Sequence, residues 1–222
     1  MITARIKSIR PIENEPLSLI TLVLCDGEKQ KTERLTVFAD FCAENGIGIG
    51  AADENTVETL RDAAALCAAV RRGETILSFA ASSKKALTAK LVRKGISPEY
   101  ARRAADILSE RGFVDDRENA LIEAERCVRK LWGPRRILQH LTQKGYSDAV
   151  LYEVREFLSD TDFSESAELL MEKRYPGALS KDRREKERAV AALMRYGYSI
   201  SDVRAAVSRL ARKRAKSEEY NN

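Results

Sequence analysis

Histidine is almost absent from the chain: His140 is the one such residue in 222. Hydrolytic sites that work near neutrality usually move protons through histidine, so a sequence with one, and with no evident nucleophile for it to serve, argues against that chemistry. Long apolar runs are missing too. No window approaches eighteen apolar residues, so no helical membrane span is expected. No apolar stretch with a small-residue cleavage site opens the chain, so export is not expected either. Cysteine occurs as four isolated residues, Cys25, Cys42, Cys67 and Cys127. No pair of them has metal-ligand spacing, and His140 is too distant in sequence to complete a compact motif. They read as free thiols in a reducing cytoplasm, with Cys25, Cys42 and Cys67 filling apolar surroundings. Trp132 is the sole tryptophan, which leaves little for a base-stacking platform. The glycines of "GIGIG" at 46–50 lack dinucleotide-binding spacing, and Ser82-Ser83-Lys84 lacks the glycines of a phosphate loop. No catalytic residue, metal or cofactor is expected.

What remains is the composition of a folded protein, 44% apolar and 33% charged, long enough for one ordinary core or several small ones in series. The charge is uneven. Residues 1–83 carry 9 basic and 12 acidic side chains, residues 84–180 carry 18 and 16, and residues 181–222 carry 12 and 6. The later part therefore suits phosphate or an acidic protein better than the first.

The first 37 residues predict a small antiparallel sheet. Ile2, Ala4 and Ile6 alternate with polar residues, "LSLITLVL" follows, Asp26-Gly27 turns the chain, and "KTERLTVF" supplies a third strand. Val37, Phe38 and Phe41 suggest a short helix closed by Asn45-Gly46, and "GIGIGAAD" a loop. A longer helix opens at Asp53 or Glu54, runs through Val57, Leu60, Ala64, Cys67 and Val70, and is expected to close at Gly73.

From about Ile76 onward the chain reads as helix, and it repeats itself. "LTAKLVRKGIS" at 87–97, "ILQHLTQKGYS" at 137–147 and "AVAALMRYGYS" at 189–199 align. Gly95, Gly145 and Gly197 fall where a helix ends in a left-handed residue. Ser97, Ser147 and Ser199 stand two places on, fit to cap the next helix. The aligned sets Leu91, Leu141 and Leu193, then Ala101, Leu151 and Val203, then Leu108, Leu158 and Leu210 mark the apolar faces. Phe113 and Phe163 align as well, with Asp115 and Glu118, or Asp162 and Glu165, spaced as capping boxes for a third helix. That third helix breaks at Gly133-Pro134 in one copy and meets Pro176-Gly177 in the next. In the last copy "ARKRAKSEEYNN" is polar and expected to fray. The expected organisation is 1–75 strands plus helices, 76–131, 132–178 and 179–216 successive helical repeats, and 217–222 a polar tail. Repeats of this size share faces with their neighbours, which favours an elongated array over a single globule.

Adjacent Asp115 and Asp116 tempt a metal reading, but neighbours at a helix start point apart, and their expected work is to stabilise helix N-termini. Basic residues are the better candidates for binding. Arg126, Arg129 and Lys130 share a helical face, Arg135 and Arg136 open the following helix, and Arg209, Arg212, Lys213 and Lys216 form a face near the end. Two guanidiniums at a helix N-terminus are unfavourable in isolation, which suggests an external anion.

The "RGFVDD" of 111–116, with Ala120 following, and the "GPRRILQHLTQKGYS" of 133–147 resemble the signatures of the RecX family, bacterial regulators of the RecA recombinase. The similarity extends from about Phe79 to Leu210. It places family motifs on Gly112, Phe113, Val114, Asp115 and Asp116, and on Gly133, Pro134, Arg135, Arg136, Ile137, Leu141, Lys144 and Gly145. Two departures are visible: "FAASSKKAL" at 79–87 has no arginine before its serines, and Asn119 stands where a large aromatic is common. The resemblance implies a mainly α fold of tandem three-helix repeats in an elongated curved array, here with a small N-terminal antiparallel β region. It implies a non-catalytic protein that lodges in the groove of the RecA filament on DNA; a cytoplasmic monomer is expected, meeting single-stranded or duplex DNA directly or through the filament. There it would modulate, mostly inhibit, ATP hydrolysis and strand exchange in recombination and the SOS response. The alternatives are a stand-alone helical DNA-binding module, which the mixed charges Glu99, Arg102, Asp148, Glu153 and Glu156 disfavour, and a scaffold for another acidic partner.

Overall fold

The computed structural model describes residues 3–175, 177, 180 and 182–220. The chain forms two compact units, one of residues up to 81 with 87–114, the other of residues 82–86 with those from 115 onward.

In the first unit, β1 (Thr3–Pro11), β2 (Leu17–Asp26), β3 (Lys29–Phe38) and β4 (Gly50–Ala52) form an antiparallel sheet in the order β3-β2-β1-β4. Alternation sets which side chains turn inward: Ile6, Ile20, Leu22 and Val37 are buried. Ile2, expected in the first strand, lies outside the described residues. Two expectations need correcting. Gly50, Ala51 and Ala52 are not loop but pair with Ile6, Arg5 and Ala4. Small side chains without alternation, whose partner is some forty-five residues away, carry no local strand signal. Val37 and Phe38 belong to β3, and the short helix α1 (Phe41–Glu44) begins only after Asp40.

The helix α2 (Glu54–Phe79) is capped by Asp53, whose carboxylate accepts the Thr56 N–H at 2.7 Å. Its first half lays Val57, Leu60 and Ala63 on the sheet. Its second half packs Ala69 and Val70 against α3 (Lys84–Arg93) and α4 (Pro98–Glu110), with Leu87, Leu91, Ala101, Ala104, Ala105 and Leu108. Gly73 does not close α2; the helix continues to Phe79. Gly73 is buried, and a Cβ there would stand 2.4 Å from Leu108 Cδ1, so the missing side chain lets α4 approach. Gly73→Val is therefore expected to lower the unfolding free energy by about 2 kcal/mol through overpacking. Urea denaturation followed by circular dichroism would show this, and an unmoved midpoint would mean that Leu108 retreats freely.

The second unit holds α5 (Asp116–Arg129), α6 (Pro134–Gln143), α7 (Asp148–Ser159), α8 (Phe163–Arg174), α9 (Arg183–Arg195) and α10 (Ile200–Tyr220). Its core runs continuously from Ala120, Cys127, Ile137 and Leu141 through Leu151, Leu158 and Leu170 to Leu193, Val203 and Leu210. The helix expected to fray after Leu210 continues to Tyr220. Lys213 pairs with Glu168 and Glu172 of α8, and the alanine, lysine and arginine of that stretch are good helix formers. Pro176 and the expected boundary at 178/179 lie outside the described residues.

The repeated sentence of the sequence is a repeated helix junction. Gly95, Gly145 and Gly197 take φ of +88°, +87° and +93°. The residue after each donates its N–H to the carbonyl of Leu91, Leu141 or Leu193, at 3.2, 3.3 and 3.3 Å, closing the helix. The hydroxyls of Ser97, Ser147 and Ser199 then accept the N–H of Tyr100, Val150 and Asp202. Fold class is thus mainly α, tandem helical repeats with a small antiparallel sheet. The aligned phenylalanines part company: Phe163 is buried edge-on to Tyr198, while Phe113 is exposed.

Candidate functional site

The two aspartates of "RGFVDD" cap two different helices. Asp115 accepts the Glu118 N–H at 2.9 Å and starts α5. Asp116 accepts the Lys84 N–H at 2.8 Å, at the first residue of α3. Ser83 joins the same corner, its hydroxyl accepting the Ala86 N–H and donating to the Lys144 carbonyl at 2.6 Å.

The Gly-Pro signature docks backbone on backbone. The Gly133 N–H donates to the Tyr196 carbonyl at 2.8 Å, and the Arg135 N–H donates to the Gly197 carbonyl at 3.2 Å. The start of α6 has no side-chain cap; the turn between α9 and α10 supplies an acceptor instead. Pro134 sits at the first helical position, where its missing N–H leaves no bond unmade. Neither glycine tolerates a side chain. A Cβ on Gly133 would fall 2.3 Å from the Gly197 carbonyl carbon, and one on Gly197 would fall 2.4 Å from the Arg136 nitrogen.

This docking sorts the basic residues. Arg136 lies with its guanidinium 4.1 Å from the Trp132 ring centroid and 5.0 Å from that of Tyr196, a cation held between two π faces. Its place at a helix start is thus explained inside the protein. Trp132 also meets His140 edge-on at 5.3 Å. Arg135, next to Arg136 in sequence, is exposed. Arg126, Arg129 and Lys130 are exposed at the C-terminal end of α5, where cations favour the helix dipole. Their internal pairings are loose: Arg126 to Glu123 at 3.7 Å, Arg129 to Glu125 at 3.6 Å, and Lys130 5.9 Å from the Trp132 ring. Arg126, Arg129, Lys130 and Arg135 therefore gather at one corner where α5 passes into α6.

Two of the other candidates are engaged by carboxylates of α8 and its cap. Arg209 donates to Asp162 at 2.8 Å, and Asp162 also takes the Ser164 hydroxyl and caps α8. The Ser164 and Arg209 bonds hold its carboxyl far below the usual range. Lys213 pairs with the buried Glu168. Arg212 is exposed, and the Lys216 side chain lies outside those described.

Lys144 belongs to a hub that sequence spacing did not reveal. Glu123, on α5, accepts from Lys144 Nζ at 2.8 Å and lies 2.9 Å from His140 Nε2. Burial alone would raise the Glu123 carboxyl; the Lys144 and His140 hydrogen bonds and their charges outweigh it and bring the carboxyl down to about 2. Cys127 stands one helical turn further on, so potential ligand atoms of Glu123, Cys127 and His140 lie within 4.8 Å of one another. Local spacing kept Cys127 and His140 apart; the packing of α5 on α6 brings them together. The donor set is already committed, because the Lys144 ammonium holds the carboxylate and burial pushes the Cys127 thiol up. Proximity here makes an ion-pair network between helices.

The regulatory protein RecX of Halorhodospira halophila is 34% identical over 151 residues, which cover 68% of this chain and 88% of that one. The chain belongs to the RecX family. A second RecX, from Vibrio parahaemolyticus, is 31% identical over 119 residues, 54% of this chain and 76% of its own length. No protein-family model matches the chain. Among solved structures, one described as regulatory protein RecX superimposes with a TM-score of 0.72 at 21% identity, covering 90% of this chain and 96% of that one. RecX from Lactobacillus salivarius superimposes with 0.59 at 18% identity, covering 66% and 97%. At these identities the superpositions establish the fold. Membership of RecX makes the chain a regulatory protein and not an enzyme. Among the described residues no helix is long and apolar enough to cross a membrane.

Proposed function

We propose that the chain is a non-catalytic modulator of the RecA recombinase that binds the RecA–DNA filament and mostly restrains its ATP hydrolysis and strand exchange. The observation that carries the contact surface is the cationic corner of Arg126, Arg129, Lys130 and Arg135, held outward by the docking of Gly133 and Arg135 backbone on the α9–α10 turn. A corner whose backbone is so fixed meets acidic protein or phosphate with the ordering cost confined to its side chains. The repeats 76–131, 132–178 and 179–216 would span adjacent recombinase subunits, one monomer lying along several. Its thiols, free at Cys25, Cys42, Cys67 and Cys127, suit the cytoplasm.

Binding to three targets tests this reading: bare single strand, bare duplex and nucleotide-bound RecA filament. Preference for the filament is expected. Arg135→Glu should weaken filament binding about tenfold, with a salt dependence shallower by roughly 0.7–0.9 if one phosphate is no longer neutralised, and leave the helical circular dichroism unchanged. Unaltered affinity would remove Arg135 from the interface. Equal or tighter binding to one short duplex would favour the helical DNA-binding module instead. That alternative is weakened by the carboxylates that α4 and α7 present, Glu99 beside Arg103 and Glu153 beside Arg117, which repel the phosphates flanking base edges.

A further inference from the structure

A sheet with a helix on one side has a second side. In the first unit α2 covers the face that carries Ile6, Ile20, Leu22 and Val37. Strand register identifies what lies on the opposite face. Arg5 stands across from Val23, Arg10 from Leu19, and Arg34 from Thr21. Partners directly opposite share a face, and the β-bulge between Ile6 and Ser8 restores the alternation so that Arg5 and Arg10 emerge on the same side. Ser8 and Thr32 add two hydroxyl residues to that face. Not one outward position on β1, β2, β3 or β4 is an aspartate or glutamate.

The absence of carboxylates is the unusual part, since residues 1–83 carry more acidic than basic side chains. On the covered side and in the adjoining helices, several cations are matched: Arg61 with Glu33, Arg71 with Glu15, Arg103 with Asp62. Arg5, Arg10 and Arg34 are exposed, and among the described residues none of the three has a carboxylate partner. On the open face of the strands the charge is therefore of one sign only.

Strand separation and rise place the roots of the three arginines roughly 12 Å apart, in a triangle spanning β1 and β3. Guanidiniums grip phosphate through paired hydrogen bonds, and serine and threonine hydroxyls add neutral donors to phosphate oxygens. The arginines have no aromatic ring among their cross-strand partners. Phe38, at the far end of β3, is already engaged by the α2–α4 core and by the Arg111 guanidinium 4.8 Å from its ring centroid. Bases would therefore not be stacked beside the arginines, and sequence would not be read. A sheet twists, and a flexible single strand can follow that twist where a stiff duplex meets it along a line. The geometry points to the outer face of this sheet as a binding surface for the phosphodiester backbone of single-stranded nucleic acid, independent of sequence. It lies on other residues than the α5–α6 corner and goes beyond the regulatory reading.

The test uses the full chain and no recombinase, so its failure would leave the regulatory reading standing, and failure of that reading would leave this one intact. The probe is a fluorescein-labelled oligothymidylate of about 16 nucleotides, followed by anisotropy between roughly 50 and 200 mM salt. The triple variant Arg5→Glu, Arg10→Glu, Arg34→Glu is expected to bind at least tenfold more weakly. Its slope of log affinity against log salt should be shallower by about 2, near 0.7 for each phosphate left unneutralised. The milder triple Arg5→Gln, Arg10→Gln, Arg34→Gln should lose affinity in the same direction by a smaller factor, which separates surface charge from any failure to fold. A charge-matched control, Arg72→Glu, Arg93→Glu, Lys94→Glu, should stay within about twofold of wild type. The proposal is overturned if wild type does not bind the oligothymidylate, if the outer-face triple binds as wild type does, or if the control loses as much. Equally tight binding of a duplex of the same length, or of polyglutamate, through these arginines would also overturn it.

Discussion

Gly133→Ala is expected to lower the stability of the second unit by about 3 kcal/mol, the largest loss foreseen for removal of no group at all. Three terms point the same way. The added methyl would lie 2.3–2.5 Å from the carbonyl of Gly197 and the nitrogen of Tyr198, and these are backbone atoms that cannot rotate aside. Separating the two segments stretches the Gly133 and Arg135 hydrogen bonds to the α9–α10 turn, each worth about 1 kcal/mol net. Overpacking in a filled core adds about 1–3 kcal/mol. Trp132 is adjacent and is the sole tryptophan, so its fluorescence during urea unfolding reports on this junction. Gly48→Ala is the control, because a Cβ there meets nothing within 4 Å, and it should change stability by less than about 1 kcal/mol. A Gly133→Ala midpoint equal to that of wild type would mean the two segments do not touch as described. The same variant should tilt Arg135 and weaken filament binding, joining the structural role of the signature to its place beside the cationic corner.

Glu123→Gln should cost about 2–3 kcal/mol at pH 7. The substitution keeps an acceptor for Lys144 and His140 but removes the charge that those groups, with Arg126, surround. The sign follows from the carboxyl's depressed pKa. It titrates near 4.5 in the unfolded chain and about 2 in the folded one, so its stabilisation is complete above the unfolded value and fades as pH falls toward the folded value. The gap between wild type and variant should therefore narrow by roughly half from pH 7 to pH 3. Urea midpoints measured at both pH values decide the matter; a gap that does not change with pH would show that the carboxylate is not held by its neighbours' charge.

The features legible in the sequence were those whose cause is local. A glycine followed at two places by serine specifies a left-handed helix end and a cap, and Gly95, Gly145 and Gly197 fold as that pattern requires. Asp115 before Glu118 specifies a cap for the same reason. Errors arose where one residue type serves two ends. Gly73 looks like a terminator, yet its role is set by Leu108, thirty-five residues on, which no window around Gly73 contains. β4 is short and exists only because Ala4, Arg5 and Ile6 accept it as a neighbour. Of the basic residues, sequence marked Arg126, Arg129, Lys130, Arg135 and Arg136 alike, and it could not distinguish the exposed Arg135 from Arg136. That difference depends on Tyr196, which is distant in sequence and reaches Arg136 only through the α9–α10 turn. The Glu123 hub escaped for the same reason, its members being 17 and 21 residues apart.

α2 is a single rod shared by two cores, with Val57, Leu60 and Ala63 against the strands and Ala69, Val70 and Gly73 among the helices. Helix formation is cooperative along its length, so loosening either end is felt at the other. The strands are consequently no detachable ornament. Cut away, they would bare an apolar stripe at the head of the same helix that braces Leu108, and a shorter cousin lacking them would need polar residues at those positions to stay in solution.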